Sequence, residues 1–282
     1  MSNDFDDVRP LDSGLRSAGP RRSEGAQRGI QSVEVGGQLL RALAHQGRPL
    51  ALKDLAREAG MAPAKAHPYL VSFGKIGLVE QDQLSGRYGL GPLALQLGLM
   101  SLQQSDPVRV AAPLLPDLAL RTRHTAAIAV WGNRGPTIVL LEESPAAVHV
   151  NMRHGTVFSM AGTASGRLFA AYLPAEAVRE VYDAERKEAK GAALPTWRAF
   201  AAGLNEVRRD ELSRSEGGVV AGVSALSAPV FDHQGRIVLA LTLIGPSASF
   251  DSRLDGAAAR ELLAAARQAS LRLGHRPAHR PP

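Results

Sequence analysis

Histidines and carboxylates are the side chains of this sequence best suited to acid–base or metal chemistry, and their spacing argues against both. His149 and His154 are five residues apart with no acidic residue between them, which is not the spacing of metal ligands. Glu142 and Glu143 are adjacent on a predicted strand, so their carboxylates point to opposite faces and cannot act as a pair. The chain has no cysteine, which excludes thiolate metal sites, disulfides and cysteine nucleophiles.

A glycine-rich segment, GTASG at 162–166, has the composition of a nucleophile elbow but not its residue order. The elbow requires Gly-x-Ser-x-Gly, whereas Ser165 directly precedes Gly166. The segment instead predicts the start of a helix over Ala164 to Leu173. We therefore expect no catalytic residue, no metal site and no cofactor, and we do not predict an enzyme.

A different set of side chains suits contact with a polyanion. Ala64, Lys65 and His67 follow Pro63 on the polar start of a predicted helix, and Ser85 and Arg87 lie at a predicted hairpin turn. The chain carries a net charge of +6, and residues 28–105 contain eight Lys or Arg against five Asp or Glu. Charge alone is weak evidence for nucleic-acid binding. The excess of basic residues per residue of sequence nevertheless indicates that a nucleic-acid contact, if present, lies in this N-terminal block.

The elements that would position these residues are three helices followed by a hairpin. Apolar periodicity predicts helices over Val33 to Gln46 and Leu52 to Ala59, and Gly60 supplies a left-handed turn before the helix that begins at Pro63. Two short apolar runs on either side of residues 84–86 predict a β-hairpin. This order is typical of a winged helix–turn–helix, in which the third helix enters the DNA major groove. A helical module that binds another protein is the alternative.

The second half of the sequence alternates strands with helices. A helix is predicted from Asp106-Pro107 to about His124, and an α+β domain with an antiparallel sheet follows. The predicted strands are TAAIAVWG, TIVLLEE and AVHVNM, followed by two or three strands in VVAGVSALSAPVF and RIVLALTLIG. The later predicted helices cover 164–173, 175–187, 196–213 and 252–273.

Composition shifts divide the chain into five parts. We predict a disordered tail over 1–28, a winged helix–turn–helix domain over 29–91, a linker helix over 92–105, an α+β domain over 106–274 and a disordered tail over 275–282. No apolar stretch approaches the ~20 residues that span a bilayer, and the N-terminus has no signal-peptide core. We expect a cytoplasmic protein without a membrane partner.

Five segments of the chain carry a family resemblance in their order and spacing: SVEVGGQLLRALA, PLALKDLAREAGMAPAKAHPYLVSFGKIGLVEQD, SGRYGLGPLALQLG, GTASGRLFAAYLP and AGVSALSAPVFDHQGRIVLALTLIGP. Through them, residues 29–274 resemble the IclR family of bacterial transcriptional regulators. The resemblance implies a winged helix–turn–helix domain, a linker helix and a GAF-like effector-binding domain. It also implies dimers or tetramers that bind double-stranded operator DNA and respond to a small metabolite, acting as repressor or activator.

In the family, the DNA-reading helix corresponds to Pro63 to Phe73 here. The usual Ser/Thr pair matches Lys65 and Ala66, and the family's histidine matches His67. The arginine that usually follows is replaced by Pro68, and Pro116 in the first helix of the second domain also departs from the common pattern. We interpret Pro116 as a helix kink.

The resemblance also implies an effector pocket built by the loop that enters the GTASG helix and by the last strands. The matching positions are Thr163, Ala164, Ser165, Ser215, Glu216, Ala225, Thr242 and Ile244. Relatives that bind small keto acids offer hydroxyl or thiol groups near Ala225 and Ile244, where this chain is apolar. We therefore expect a carboxylate effector with a hydrocarbon or aromatic part, anchored at the first turn of the GTASG helix, where Thr163 and Ser165 add hydroxyl donors. A sensor that acts only through protein contacts is the remaining alternative, and Pro68 favours it.

Overall fold

The computed structural model describes residues 29–146, 150, 154–188, 194–217 and 220–276. Contacts divide the chain into two compact units, and the division falls between Met100 and Ser101. The predicted tails lie outside the described residues, except for His275 and Arg276 at the start of the second tail, where the His275 ring packs against Phe231.

The first unit begins with the three predicted helices, which are α1 (Gln31–Gln46), α2 (Leu52–Glu58) and α3 (Pro63–Lys75). Gly60 has the left-handed φ of +66° that the turn between α2 and α3 requires, and Pro63 occupies the first turn of α3, where a missing N–H costs nothing. The helices share one core, whose fully buried members include Leu39, Leu55 and Leu70.

A hairpin and most of a long apolar helix complete the first unit. Strands β1 (Val79–Gln81) and β2 (Tyr88–Leu90) are antiparallel, and Tyr88 also bridges to Leu50 before α2. Helix α4 (Pro92–Gln103) follows directly and contains no buried residue. The predicted hairpin and helix are confirmed as elements.

The second unit is built on a five-stranded antiparallel sheet in the order β4-β3-β7-β6-β5. Its strands are β3 (Thr125–Gly132), β4 (Gly135–Glu142), β5 (Ser213–Glu216), β6 (Val223–Phe231) and β7 (Ile237–Pro246). Both edges are occupied or charged. β5 is four residues long and exposes Arg214 and Glu216, while the segment over residues 154–158 bonds to β4 through Gly155 and Phe158.

Helices cover both faces of this sheet. One face packs against α5 (Pro107–Ala111), α6 (Leu115–Thr122) and α10 (Ala257–Arg272), around buried residues such as Leu241 and Leu262. The other face packs against α7 (Ala164–Tyr172), α8 (Ala175–Glu188) and α9 (Trp197–Asp210). The architecture is the expected α+β fold with an N-terminal winged helix–turn–helix.

Three predicted helices differ from the structure, and the last of them, predicted over 252–273, begins only at Ala257. The helix predicted to reach His124 is divided into α5, a 3₁₀ turn over Ala112–Leu114, and α6, so that Pro116 lies in the first turn of a new helix rather than kinking one. The helix predicted through Ser213 ends at Asp210, because Glu211 adopts a left-handed conformation with φ of +52°. Ser213 instead opens β5, which the sequence analysis did not resolve.

The predicted strand AVHVNM falls almost entirely outside the described residues, which include only Val150 of its six positions. Within the described ranges, no helix combines the length and the apolar character needed to cross a membrane.

Candidate functional site

Helix α3 exposes one long face and buries the other. Ala64, Lys65 and His67 are exposed, as expected for residues that contact DNA. Ala66 is completely buried in the core of the first unit, so the expectation that Ala66 contacts DNA is wrong. The reason is helical geometry, because Ala66 shares its face with Leu70 and both point toward α1 and α2.

Pro68 is accommodated inside a continuous α3. Its ring replaces the N–H that would donate to the Ala64 carbonyl, and both residues lie on the exposed face. One turn later, the Ser72 hydroxyl donates to the Pro68 carbonyl at 3.0 Å. The proline therefore changes the surface of α3 without ending the helix.

The tip of the hairpin is organised by Asp82. Its carboxylate accepts hydrogen bonds from the Ser85 hydroxyl and the Ser85 amide, both at 2.7 Å, and these bonds lower the pKa of Asp82 below its usual value. Gly86 has a φ of +67°, and Arg87 is exposed beside it. Ser85 thus shapes the turn and Arg87 remains the cation available to a phosphate. Asp82 is not among the residues predicted from the sequence, although Asp is one of the residue types that favour turns.

The second unit contains a cavity of about 150 Å³ between the first turn of α7 and the sheet. Seven of the eight positions expected in the effector pocket line it, and they are Thr163, Ala164, Ser165, Ser215, Ala225, Thr242 and Ile244. The remaining lining residues come from loops and from the start of β6, and they are Val150, Thr156, Val157, Phe158, Ser159, Gly162, Val220 and Val223. None of these described lining residues carries a formal charge.

Glu216 is the expected pocket residue that the structure places elsewhere. Side chains alternate along β5, so Ser215 faces the cavity and Glu216 points away from it. The Glu216 carboxylate accepts a hydrogen bond from the Ser252 hydroxyl at 2.6 Å and lies 3.6 Å from the Arg214 guanidinium. Glu216 therefore belongs to the exposed edge of the sheet.

Three buried hydroxyls form a chain beneath the cavity. The oxygens of Ser165 and Thr242 are 2.9 Å apart, and those of Thr242 and Ser227 are also 2.9 Å apart. Ser227 has a second acceptor in the Leu241 carbonyl at 3.3 Å. When Ser227 donates to the Leu241 carbonyl, Thr242 can donate to Ser227 and Ser165 to Thr242, which leaves the Ser165 oxygen as an acceptor for a ligand. When each hydroxyl donates in the opposite direction, the Ser165 hydroxyl can donate into the cavity.

Thr163 is the N-cap of α7, and its hydroxyl is already committed. It accepts from the Gly166 amide at 3.0 Å and donates to the Ser159 carbonyl at 2.7 Å. Its role is therefore to fix the helix start, whereas the expectation that it donates a hydroxyl to the effector does not fit this geometry. The amides of Ala164 and Ser165 lie in the first helical turn, where no intrahelical acceptor exists, and they remain the donors for an anion.

Glu185 on α8 supports the rim of the cavity from behind. Its carboxylate accepts from the Ser159 hydroxyl and, at 2.7 Å, from the Met160 amide. The Ser159 hydroxyl in turn accepts from the Gly162 amide at 2.9 Å. Sequence reasoning missed this support because Glu185 is separated from Ser159 by 26 residues and belongs to no motif.

The histidine pair considered for metal binding gives no metal site in the described chain. His149 lies outside the described residues, and no group of three or more potential ligands comes together among those that are described.

Family models match both units of the chain. The IclR helix-turn-helix domain model matches residues 32–83, and the model described as Bacterial transcriptional regulator IclR C-terminal matches residues 99–271. The second match alone covers more than half of the 282 residues.

Individual relatives agree with these models. The Glycerol operon regulatory protein of Streptomyces griseus is 33% identical over 242 residues, which are 85% of this chain and 93% of that protein. The Transcriptional repressor IclR of Escherichia coli is 24% identical over 220 residues, which are 77% of this chain and 80% of that one. The crystal structure of Pseudomonas aeruginosa HmgR has a TM-score of 0.82 at 37% identity, covering 87% of this chain and 99% of the other.

The matched relatives are regulators of transcription and not enzymes, which agrees with the absence of a catalytic arrangement in the sequence. The fold, the helix-turn-helix and the C-terminal ligand-binding domain all agree with these matches. The chain belongs to the IclR family of bacterial transcriptional regulators.

Proposed function

We propose that this protein represses or activates an operon by binding its operator, and that a small organic acid bound in the second unit controls that affinity. The observation that carries the proposal is the cavity, because seven positions spread over 82 residues of sequence surround one space at the first turn of α7. A regulator of this kind acts on chromosomal DNA in the cytoplasm.

Contact with DNA is assigned to α3 and to the hairpin. Lys65 and His67 flank the exposed face of α3, and Arg87 lies at the tip of the hairpin, where a long cation reaches the sugar–phosphate backbone. Ala64 lies on the same exposed face and can contact a base edge without steric hindrance.

Pairing of two copies is supported by α4. Leu95, Leu97, Leu99, Met100 and Leu102 are each at least 43% exposed in the single chain, which is unusual for so many large apolar residues on one short helix. We propose that α4 packs against its counterpart in a dimer, alone or within a tetramer. Two reading helices would then occupy half-sites about 34 Å apart, or a multiple of that distance.

Lys65→Ala tests the operator interface. On a duplex covering the DNA upstream of the protein's own gene, we expect affinity to fall by about 1–3 kcal/mol if Lys65 contacts a base. If Lys65 contacts only phosphate, binding to all sequences falls alike and the salt slope decreases by about 1. Footprinting and titration over a range of salt concentrations measure both quantities.

The control for this experiment is Lys187→Ala, which removes an exposed lysine from α8 in the second unit. It should leave affinity and salt slope unchanged. Equal affinities and equal salt slopes for the two variants would show that Lys65 does not contact DNA. A footprint of a single half-site would contradict the proposed pairing of two copies.

The chemistry of the cavity supports an acid with an apolar body. The free amides and the dipole at the start of α7 favour a carboxylate, while Val157, Phe158, Val223 and Ile244 offer apolar walls. A cavity of this volume in another protein accepts one benzene ring. Aromatic acids with one ring and medium-chain fatty acids are therefore the effector classes that we propose.

Ligand binding should appear as increased stability. With benzoate, phenylacetate and octanoate as probes, an acid present at 100 times its Kd is expected to stabilise the second unit by about 2.7 kcal/mol, read as a higher melting temperature. The matching amides, benzamide and phenylacetamide, should stabilise it less because they lack the charge. The variant Thr163→Val with Ser165→Ala should lose the ligand-induced shift.

Thr196→Val is the matched control, because Thr196 caps α9 as Thr163 caps α7 but does not line the cavity. Without ligand, the control should lose roughly 1 kcal/mol, the usual value of an N-cap, and the double variant should lose about 1 kcal/mol more because it also loses the buried Ser165–Thr242 hydrogen bond. Only the control should keep the shift that the acid induces. A shift retained in the Thr163 and Ser165 double variant would place the effector site elsewhere.

A further inference from the structure

The exposed face of α3 is apolar along its centre. With successive residues about 100° apart around the helix, Ala64, Pro68, Val71 and Lys75 fall within about 60° of one another. All four are exposed, and Val71 is 44% exposed. They lie opposite Ala66, which is buried against the other helices, so the first three of them form the outermost stripe of α3.

The polar residues of α3 lie beside this stripe. Lys65 and Ser72 lie on one side of it and His67 on the other, while Lys75 continues it toward the end of the helix. The helix contains no acidic residue. A surface with an apolar centre and basic flanks complements a DNA major groove, whose floor carries base edges and whose walls carry phosphates.

Among the base edges in the major groove, the thymine 5-methyl group is the one that an apolar side chain recognises. We infer that Ala64, Pro68 and Val71 select operators by contacting thymine methyl groups. This assignment rests on the proposed operator-binding function. It gives Pro68 a role in specificity, because a proline ring presents apolar surface where the family usually has a hydrogen-bonding arginine.

The test uses duplexes obtained with the full-length protein from a pool with 20 randomised base pairs. Each enriched duplex is then synthesised with deoxyuridine in place of thymidine at one position at a time, which removes only the methyl group. At contacted positions we expect binding about fourfold weaker per methyl, or about 16-fold weaker when one methyl is lost from each of two half-sites.

Val71→Ala is expected to bring the affinity ratio between the thymidine and deoxyuridine duplexes close to one at the thymine that Val71 contacts, while thymines contacted by Ala64 or Pro68 keep their ratio. The matched control is Val33→Ala, which shortens a valine that is 67% exposed on α1 and should keep the full ratio. A deoxyuridine effect caused by altered DNA shape would persist in Val71→Ala, because it does not depend on that side chain.

The possible outcomes distinguish a failure of the proposed operator-binding function from a failure of the thymine-methyl assignment alone. If no duplex is enriched, the proposed operator-binding function fails and this inference fails with it. If duplexes are enriched but deoxyuridine binds as well as thymidine, only the methyl assignment is overturned. If Val71→Ala keeps the full ratio at every methyl-sensitive position, the assignment is also overturned, since a surface other than the Val71 stripe would then read the methyl groups.

Discussion

Gly166→Ala is expected to destabilise the second unit by about 3 kcal/mol or more. A Cβ at this position would lie 2.7 Å from the Met160 Cα and closer still to the carbonyl oxygens of Ser159 and Met160. All of these atoms belong to backbone, so no flexible side chain can move aside. Because Ser159 forms the rim of the cavity, relief of the clash would also displace the α7 end of the pocket.

Gly203→Ala is the matched control, since Gly203 lies in the middle of α9 and a Cβ there meets nothing within 4 Å. It should gain about 0.5–1 kcal/mol from its better helix propensity. Urea unfolding followed by tryptophan fluorescence measures the stability of both variants. The ring centroids of Trp131 and Phe169 of α7 are 5.9 Å apart, and Trp197 begins α9. Equal stabilities for the two variants would contradict the close approach at Gly166.

Pro68→Ala should increase the stability of the first unit by about 2 kcal/mol. A proline inside a helix costs about 3 kcal/mol, because it removes one hydrogen bond and crowds a carbonyl. Part of that gain is offset, since alanine leaves the unfolded chain freer by about 0.4–1 kcal/mol. The exposed position of Pro68 means that no packing is lost when its ring is removed.

Pro63→Ala on the same helix is the control, because we expect it to change the stability of the first unit in the opposite direction. Pro63 occupies the first turn, where an N–H has no intrahelical acceptor, so the variant gains no hydrogen bond and loses about 0.4–1 kcal/mol. Both tryptophans lie in the second unit, so hydrogen exchange at the amides of α1 and α3 is the suitable measurement. A loss of protection in Pro68→Ala would show that the proline relieves strain instead of causing it.

The ends of elements were predictable where glycine or proline marks them. Pro63 begins α3 and Gly60 forms the turn before it, as the sequence indicates. Arg123 and Glu211 end their helices with φ values of +59° and +52°, and neither residue type signals a left-handed conformation. The predicted helix therefore ran past Glu211 and concealed β5.

The pocket was predictable at the motif and along the strands, but not in its loops. The GTASG segment alone predicts only a helix start, and the resemblance is what predicts Thr163, Ser165 and the strand residues Ala225, Thr242 and Ile244 in the pocket. Phe158 and other loop residues have no periodicity to place them, because their positions depend on long-range hydrogen bonds. Glu216 and Ser215 are neighbours in sequence, and only the strand's pleat decides which of them faces the cavity.

The edges of the sheet bear on aggregation. An exposed, long and flat edge strand is a template on which further chains can add. Here β5 offers only four residues with outward Arg214 and Glu216, and β4 is partly occupied by the segment containing Gly155 and Phe158. Neither edge therefore favours continuation of the sheet into a second molecule, so the protein can accumulate in a crowded cell without its sheet edges seeding ordered β-aggregates.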